Sequence, residues 1–138
     1  MIGSDGIALD ASPHPRLWGT FPRVLGHYAR DLGLISFEQA VYRMTGLAAE
    51  TFGLKNRGQI QEGYFADLVV LDREAVADVA TFDSPTVPSA GIEHVYVNGR
   101  LTWSKGVSCA NRPGRVLKRQ QQHPPMRNFQ RWEAPHGH

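Results

Sequence analysis

A chain of 138 residues holds one modest domain, and its ordinary aliphatic and aromatic content excludes wholesale disorder. No apolar run reaches the roughly 18 residues of a membrane helix, no basic-then-apolar leader opens the sequence, and one cysteine, Cys109, excludes an intramolecular disulfide framework; the expected location is cytoplasmic. The net charge of +2 is uneven, with −3 over residues 1–111 and +5 over residues 112–138, so the basic balance belongs to the C-terminal segment.

The chain opens on Met1-Ile2 followed by Gly3-Ser4-Asp5-Gly6, the pattern of a carboxylate at the mouth of a buried strand. Residues 7–19 read as a loop, with Pro13 and Pro15 holding their neighbours extended and Gly19 allowing a turn. A helix is predicted over 21–32, capped by Thr20, with Pro22 in its first turn and Gly33 at its end. Phe21, Val24, Leu25, Tyr28 and Leu32 would form its apolar face. Ser36 and Gln39 make a capping-box pattern for a second helix over 37–44, with Phe37, Ala40, Val41 and Met44 on one face. Thr45 would cap a third over 47–52 that stops at Gly53.

Beyond Asn56 the pattern turns to strands. Gln59-Ile60-Gln61 alternates, and residues 66–72 form an apolar run bounded by acids. A loop with Pro85 and Pro88 precedes two alternating runs joined by Asn98-Gly99, a strong hairpin signal because both turn residues must accept positive φ. His94, Tyr96 and Asn98 would share one face of the first run, with His94 read as structural. Helices first and antiparallel strands later imply an α+β fold, with a subdomain boundary near residues 55–58. Residues 120–138, with Gln120-Gln121-Gln122 and Pro124-Pro125, read as a solvated, disordered basic tail.

Two motifs carry a family resemblance. "RGQIQEGYFADLVVLD" (57–72) and "VYVNGRLTW" (95–103) resemble the closing β-sandwich segment of metal-dependent amidohydrolases, with Gly58 and Gly63 at tight turns and Ile60, Leu68, Val69 and Val70 filling the sheet core. "GSDG" followed by "PHPRLWGTFPRVLGHYARDLGLISFEQAVYRMTGLAAETFGL", and "RPGRVLKR" (112–119), closely resemble the N-acyl-D-amino-acid deacylase branch over about residues 1–119. The resemblance implies that residues 1–54 are the end of a TIM-like barrel's eighth strand with its following helices, and 55–119 part of a small β-sandwich.

The same resemblance makes Asp5 the aspartate at the C-terminal end of that strand, where such barrels build their sites. There it takes a proton from the zinc-bound water and delivers it to the leaving amine. Arg16 matches an arginine whose guanidinium fork would hold the substrate's carboxylate, and His14 either reaches the substrate or pins the loop. On the residues alone, a loop-bracing aspartate and a surface arginine are the simpler readings.

The family's metal ligands, a His-x-His, a cysteine and later histidines, find no match here, so no metal-ligating residue is assigned. His136-Gly137-His138 reads as coincidence and His27 as packing. Zinc is therefore expected in a complete enzyme acting on N-acyl-D-amino acids and not in this chain alone, which reads as a C-terminal portion, inactive by itself. With the barrel missing, the stripe Trp18, Phe21, Val24, Leu25 and Tyr28 would be exposed, implying a homo-oligomer or a barrel-completing polypeptide. A non-enzymatic partner-binding module is the alternative; nucleic-acid binding through the tail ranks last, for want of a groove-reading motif.

Overall fold

The structure, a computed structural model, describes residues 1–7 and 12–118. The tail expected at 120–138 and the His-x-His at 136–138 lie outside the described residues. The fold is α+β, as expected: a helical half followed by a four-stranded antiparallel sheet.

Helix α1 spans Arg16–Arg23 and runs on without a break into π-wound turns over Val24–Asp31. It therefore starts inside the segment expected to be a loop, and Pro22 lies in its interior. A proline there withholds the N–H that the carbonyl four residues back would accept. That carbonyl belongs to Trp18, and it accepts the Ser89 hydroxyl at 3.0 Å instead. Thr20 does not cap; its hydroxyl donates to the Arg16 carbonyl at 2.8 Å. Gly33, at φ 61, follows the π-wound stretch as expected.

Helix α2 (Phe37–Met44) begins as predicted, with Ser36 Oγ accepting the Gln39 N–H at 3.1 Å. Helix α3 (Gly46–Phe52) ends on left-handed Gly53, but Thr45 donates back to the Val41 carbonyl rather than capping it.

Strands β1 (Leu68–Leu71), β2 (Ile92–Val97), β3 (Arg100–Ser104) and β4 (Val107–Ser108) form an antiparallel meander in chain order. Asn98 and Gly99 turn β2 into β3 at φ 49 and 75. A register shift beside Val95 and Tyr96 leaves Thr102 unpaired in the ladder, and its hydroxyl donates to the Val95 carbonyl at 3.1 Å. The Gln59–Gln61 stretch is not a strand: Ile60 is 93% exposed, and Val69 and Val70 are exposed as well, so these side chains do not fill a sheet core.

The core joins both halves. Val24, Leu25, Ala29, Ala40 and Val76 are buried together, with Ile2, Ile35, Phe37, Met44, Leu71 and Ile92 packed around them. Val76 comes from the connection between β1 and β2, a segment with no apolar periodicity to announce it. Its carbonyl lies so close to Gly26 that a Cβ there would sit 2.3 Å from the oxygen. Arg30 Nη1 donates to the carbonyls of Arg73, Glu74 and Val76 at 3.1, 3.0 and 2.9 Å. The expected apolar stripe is thus divided: Val24 and Leu25 are buried within the chain, while Trp18, Phe21 and Tyr28 remain exposed.

Candidate active site

The first carboxylate sits on a short segment laid against the start of α1. Asp5 adopts φ 50, a left-handed conformation costing a non-glycine residue roughly 1–2 kcal/mol. Gly6 follows because nothing larger fits: a Cβ there would stand 2.6 Å from Leu17 Cδ1 and 2.9 Å from its Cα. At the other end of the segment, the Ile2 N–H donates to the Arg43 carbonyl at 3.3 Å, tying it to α2.

The first turn of α1 is built by "PHPR". Pro15, at φ −52, is preset for the helix. A helix start leaves its first N–H groups without intrahelical acceptors. His14 meets two of them: Nδ1 accepts the Arg16 N–H at 3.0 Å and its carbonyl accepts the Leu17 N–H at 3.0 Å. With Nδ1 an acceptor, the neutral ring carries its proton on Nε2. The Phe82 ring stands edge-on to it at 4.9 Å between centroids.

This arrangement brings Arg16 to Asp5. Nη2 lies 3.0 Å from Asp5 Oδ2, with the arginine side chain 40% exposed and the carboxylate 85% exposed. Arg16 Nε is buried and meets no partner among the described residues. So the fork is half used: one nitrogen holds a carboxylate in solvent, and another donor is uncommitted. An ion pair this open is worth about 0–1 kcal/mol, weak enough for an incoming carboxylate to displace.

Among the described residues, no group of three or more His, Cys, Asp or Glu could hold a metal ion. A catalytic zinc needs three protein ligands in fixed geometry; the described residues do not supply them, and no chemical step through zinc follows from these side chains. His27 is half-buried, with its ring edge-on to Tyr28 at 5.0 Å. His94 Nδ1 lies 3.2 Å from Ser104 Oγ across the β2–β3 pair. Cys109 is a half-buried free thiol. No helix of the described residues is long and apolar enough to cross a membrane.

A profile of the amidohydrolase family matches residues 1–103, which include the Asp5–Arg16 pair and the hairpin. The chain belongs to the amidohydrolase family. Within it, this amidohydrolase is 63% identical over 119 residues to D-aminoacylase of Alcaligenes xylosoxydans xylosoxydans, covering 86% of this chain and 25% of that protein. A crystal structure of D-aminoacylase superposes with a TM-score of 0.85 at 61% identity, over 86% of this chain and 25% of the other. N-acyl-D-glutamate deacylase from Bordetella bronchiseptica, solved with zinc and a phosphonate mimic of the tetrahedral intermediate, superposes at 0.81 with 53% identity and the same coverage. The chain spans about a quarter of the length of the relatives it matches.

The resemblance singles out Asp5, Arg16 and His14, and the structure places all three at the start of α1, with the His14 ring hydrogen-bonded in the turn as a loop-pinning histidine would be. The helix start at residue 16 and the contact with Phe82 lay beyond the sequence. "PHPR" did carry a signal, since Pro15 has no N–H and the first backbone donor after His14 is that of Arg16.

Proposed function

We propose that this chain is the part of an N-acyl-D-amino-acid deacylase that carries its proton-transfer carboxylate and one clamp for the substrate's carboxylate. The observation that supports this most is the Asp5–Arg16 contact at 3.0 Å, on a strained and exposed turn, in a chain so similar to D-aminoacylase. In this reading Arg16 releases Asp5 when substrate arrives and turns its fork to the α-carboxylate of the N-acyl-D-amino acid. Asp5, freed of the guanidinium, takes the proton of the attacking water and returns it to the departing amine. His14 acts as a positioning residue: it fixes the turn that aims Arg16 rather than touching substrate.

The complete enzyme in this reading uses zinc, whose ligands come from polypeptide other than the described residues. Residues 1–54 then close a barrel and residues 55–119 contribute to a small β-sandwich. Trp18, Phe21 and Tyr28 are the surface that the barrel-completing polypeptide, or a second copy of this chain, would cover. A single free cysteine suits a cytoplasmic setting.

The test is reconstitution. The purified chain with zinc and an N-acetyl-D-amino acid should give no turnover. Joined to polypeptide supplying the zinc ligands, it should hydrolyse the amide, and Asp5→Ala should remove that activity. Turnover by the chain alone, or a reconstituted enzyme indifferent to Asp5→Ala, overturns the reading.

A further inference from the structure

The Asn98-Gly99 turn is the place where the polypeptide itself is chemically most fragile. In such a pair the Gly99 backbone nitrogen can attack the Asn98 side-chain carbon. A C–N bond forms, the Cγ–Nδ2 bond breaks, and the proton lost from Gly99 N passes through water to the leaving nitrogen, which departs as ammonia. Water then opens the resulting succinimide to aspartate or isoaspartate. The reaction needs only water, and glycine favours it because no Cβ shields the attacking nitrogen.

The attacking nitrogen, the leaving nitrogen and the side-chain oxygen are each held elsewhere. The Gly99 N–H donates to the Ala66 carbonyl at 2.9 Å. Asn98 Nδ2, the leaving group, donates to the Pro113 carbonyl at 2.8 Å. Asn98 Oδ1 accepts Arg57 Nη2 at 2.6 Å, and the Asn98 N–H donates to Asp67 Oδ1 at 2.8 Å. Arg57 is fixed in turn by the second oxygen of Asp67 and lies over the Phe65 ring at 4.2 Å, its side chain only 10% exposed. We infer that Asn98-Gly99 is a latent succinimide-forming modification site that the Arg57–Asp67–Asn98 network holds shut.

One contact works the other way. A guanidinium on Oδ1 polarises the side-chain carbonyl and makes its carbon easier to attack. Immobilisation outweighs it, because attack requires Gly99 N to leave Ala66 and approach Cγ while Nδ2 leaves Pro113. The two effects predict opposite outcomes for loss of Arg57. Conversion would cost the fold its turn: a carboxylate at position 98 cannot donate to Pro113, and isoaspartate adds a main-chain atom to a two-residue loop that sets the β2–β3 register.

The test is mass mapping of the peptide spanning residues 92–104. The full chain would be aged at mildly alkaline pH in buffer and in urea. Deamidation in buffer should be roughly tenfold slower or more, as expected when reaction waits on local opening. Arg57→Lys should speed it in buffer. Equal rates in buffer and urea overturn the inference, whether or not the variant folds; so does an Arg57→Lys chain that deamidates no faster than its parent.

Discussion

Two arginine–aspartate pairs in this molecule look alike in sequence and differ in kind. Asp5 and Arg16 stand eleven residues apart, Arg57 and Asp67 ten. In the second pair the guanidinium is largely buried, stacked on Phe65 and shared between Asp67 and Asn98, with Asp67 35% exposed. In the first the carboxylate is 85% exposed, the backbone beneath it is strained, and one arginine donor meets nothing among the described residues. The closed pair ties the start of β1 to the hairpin through Asp67 and Asn98. The open pair adds little to stability and keeps its valence for something else.

The contrast can be broken most directly at Arg57. Arg57→Ala leaves Asp67 without its guanidinium and Asn98 Oδ1 without its donor, and should lower unfolding stability by about 2–3 kcal/mol, discounted for the part of Asp67 that water reaches. A urea melt whose midpoint does not move would show that the closed pair is ornamental. Arg57→Lys keeps the charge but not the fork, and about 1 kcal/mol should be lost in the same melt.

The Arg30–Asp31 pair sharpens the comparison from between. Its carboxylate is half exposed, yet its arginine reaches partners far along the chain, as Arg57 does, here the carbonyls of Arg73, Glu74 and Val76. The hydrogen bond from Arg30 holds the Asp31 carboxyl below the usual carboxylate range. Its stabilising effect is therefore complete above the ordinary carboxylate pKa and is lost as pH falls through the lowered folded value. Amide exchange around Val76 should rise in that acid window, and Asp31→Asn should flatten the rise. The smallest effect belongs to the open pair: Arg16→Ala should change stability by less than about 0.5 kcal/mol, and added salt should not reveal more. A larger loss in thermal melts would mean that Asp5 is a structural anchor after all.

The sequence was legible where a feature is settled by its immediate neighbours. The Ser36 cap, the stop at Gly53 and the Asn98-Gly99 turn are each decided within three or four residues, and each formed as expected. Pro22 misled because its cost is met from far away, by a serine 71 residues beyond Trp18. Val76 went unseen for a similar reason: its burial depends on a notch at Gly26, not on any pattern around it. Ile60, Val69 and Val70 carry an inward-facing pattern, but the described residues leave Ile60 almost fully exposed and cover Val69 and Val70 only in part. At the candidate site, the family resemblance and not the residues alone singled out Asp5, Arg16 and His14, while the ring of His14 as a helix acceptor needed the backbone.

The connection between β1 and β2 runs along the long helix and the turn before it: Val76 meets Arg30 and Gly26, Asp78 meets Arg23, Phe82 meets His14 and Ser89 meets Trp18. It lies along that helix as a splint lies along a limb. Residues inserted or trimmed there would be transmitted as a misalignment of the turn bearing Arg16. A stretch that looks like spare cord between strands is thus a spacer whose length matters to the end of the molecule that bears Asp5 and Arg16.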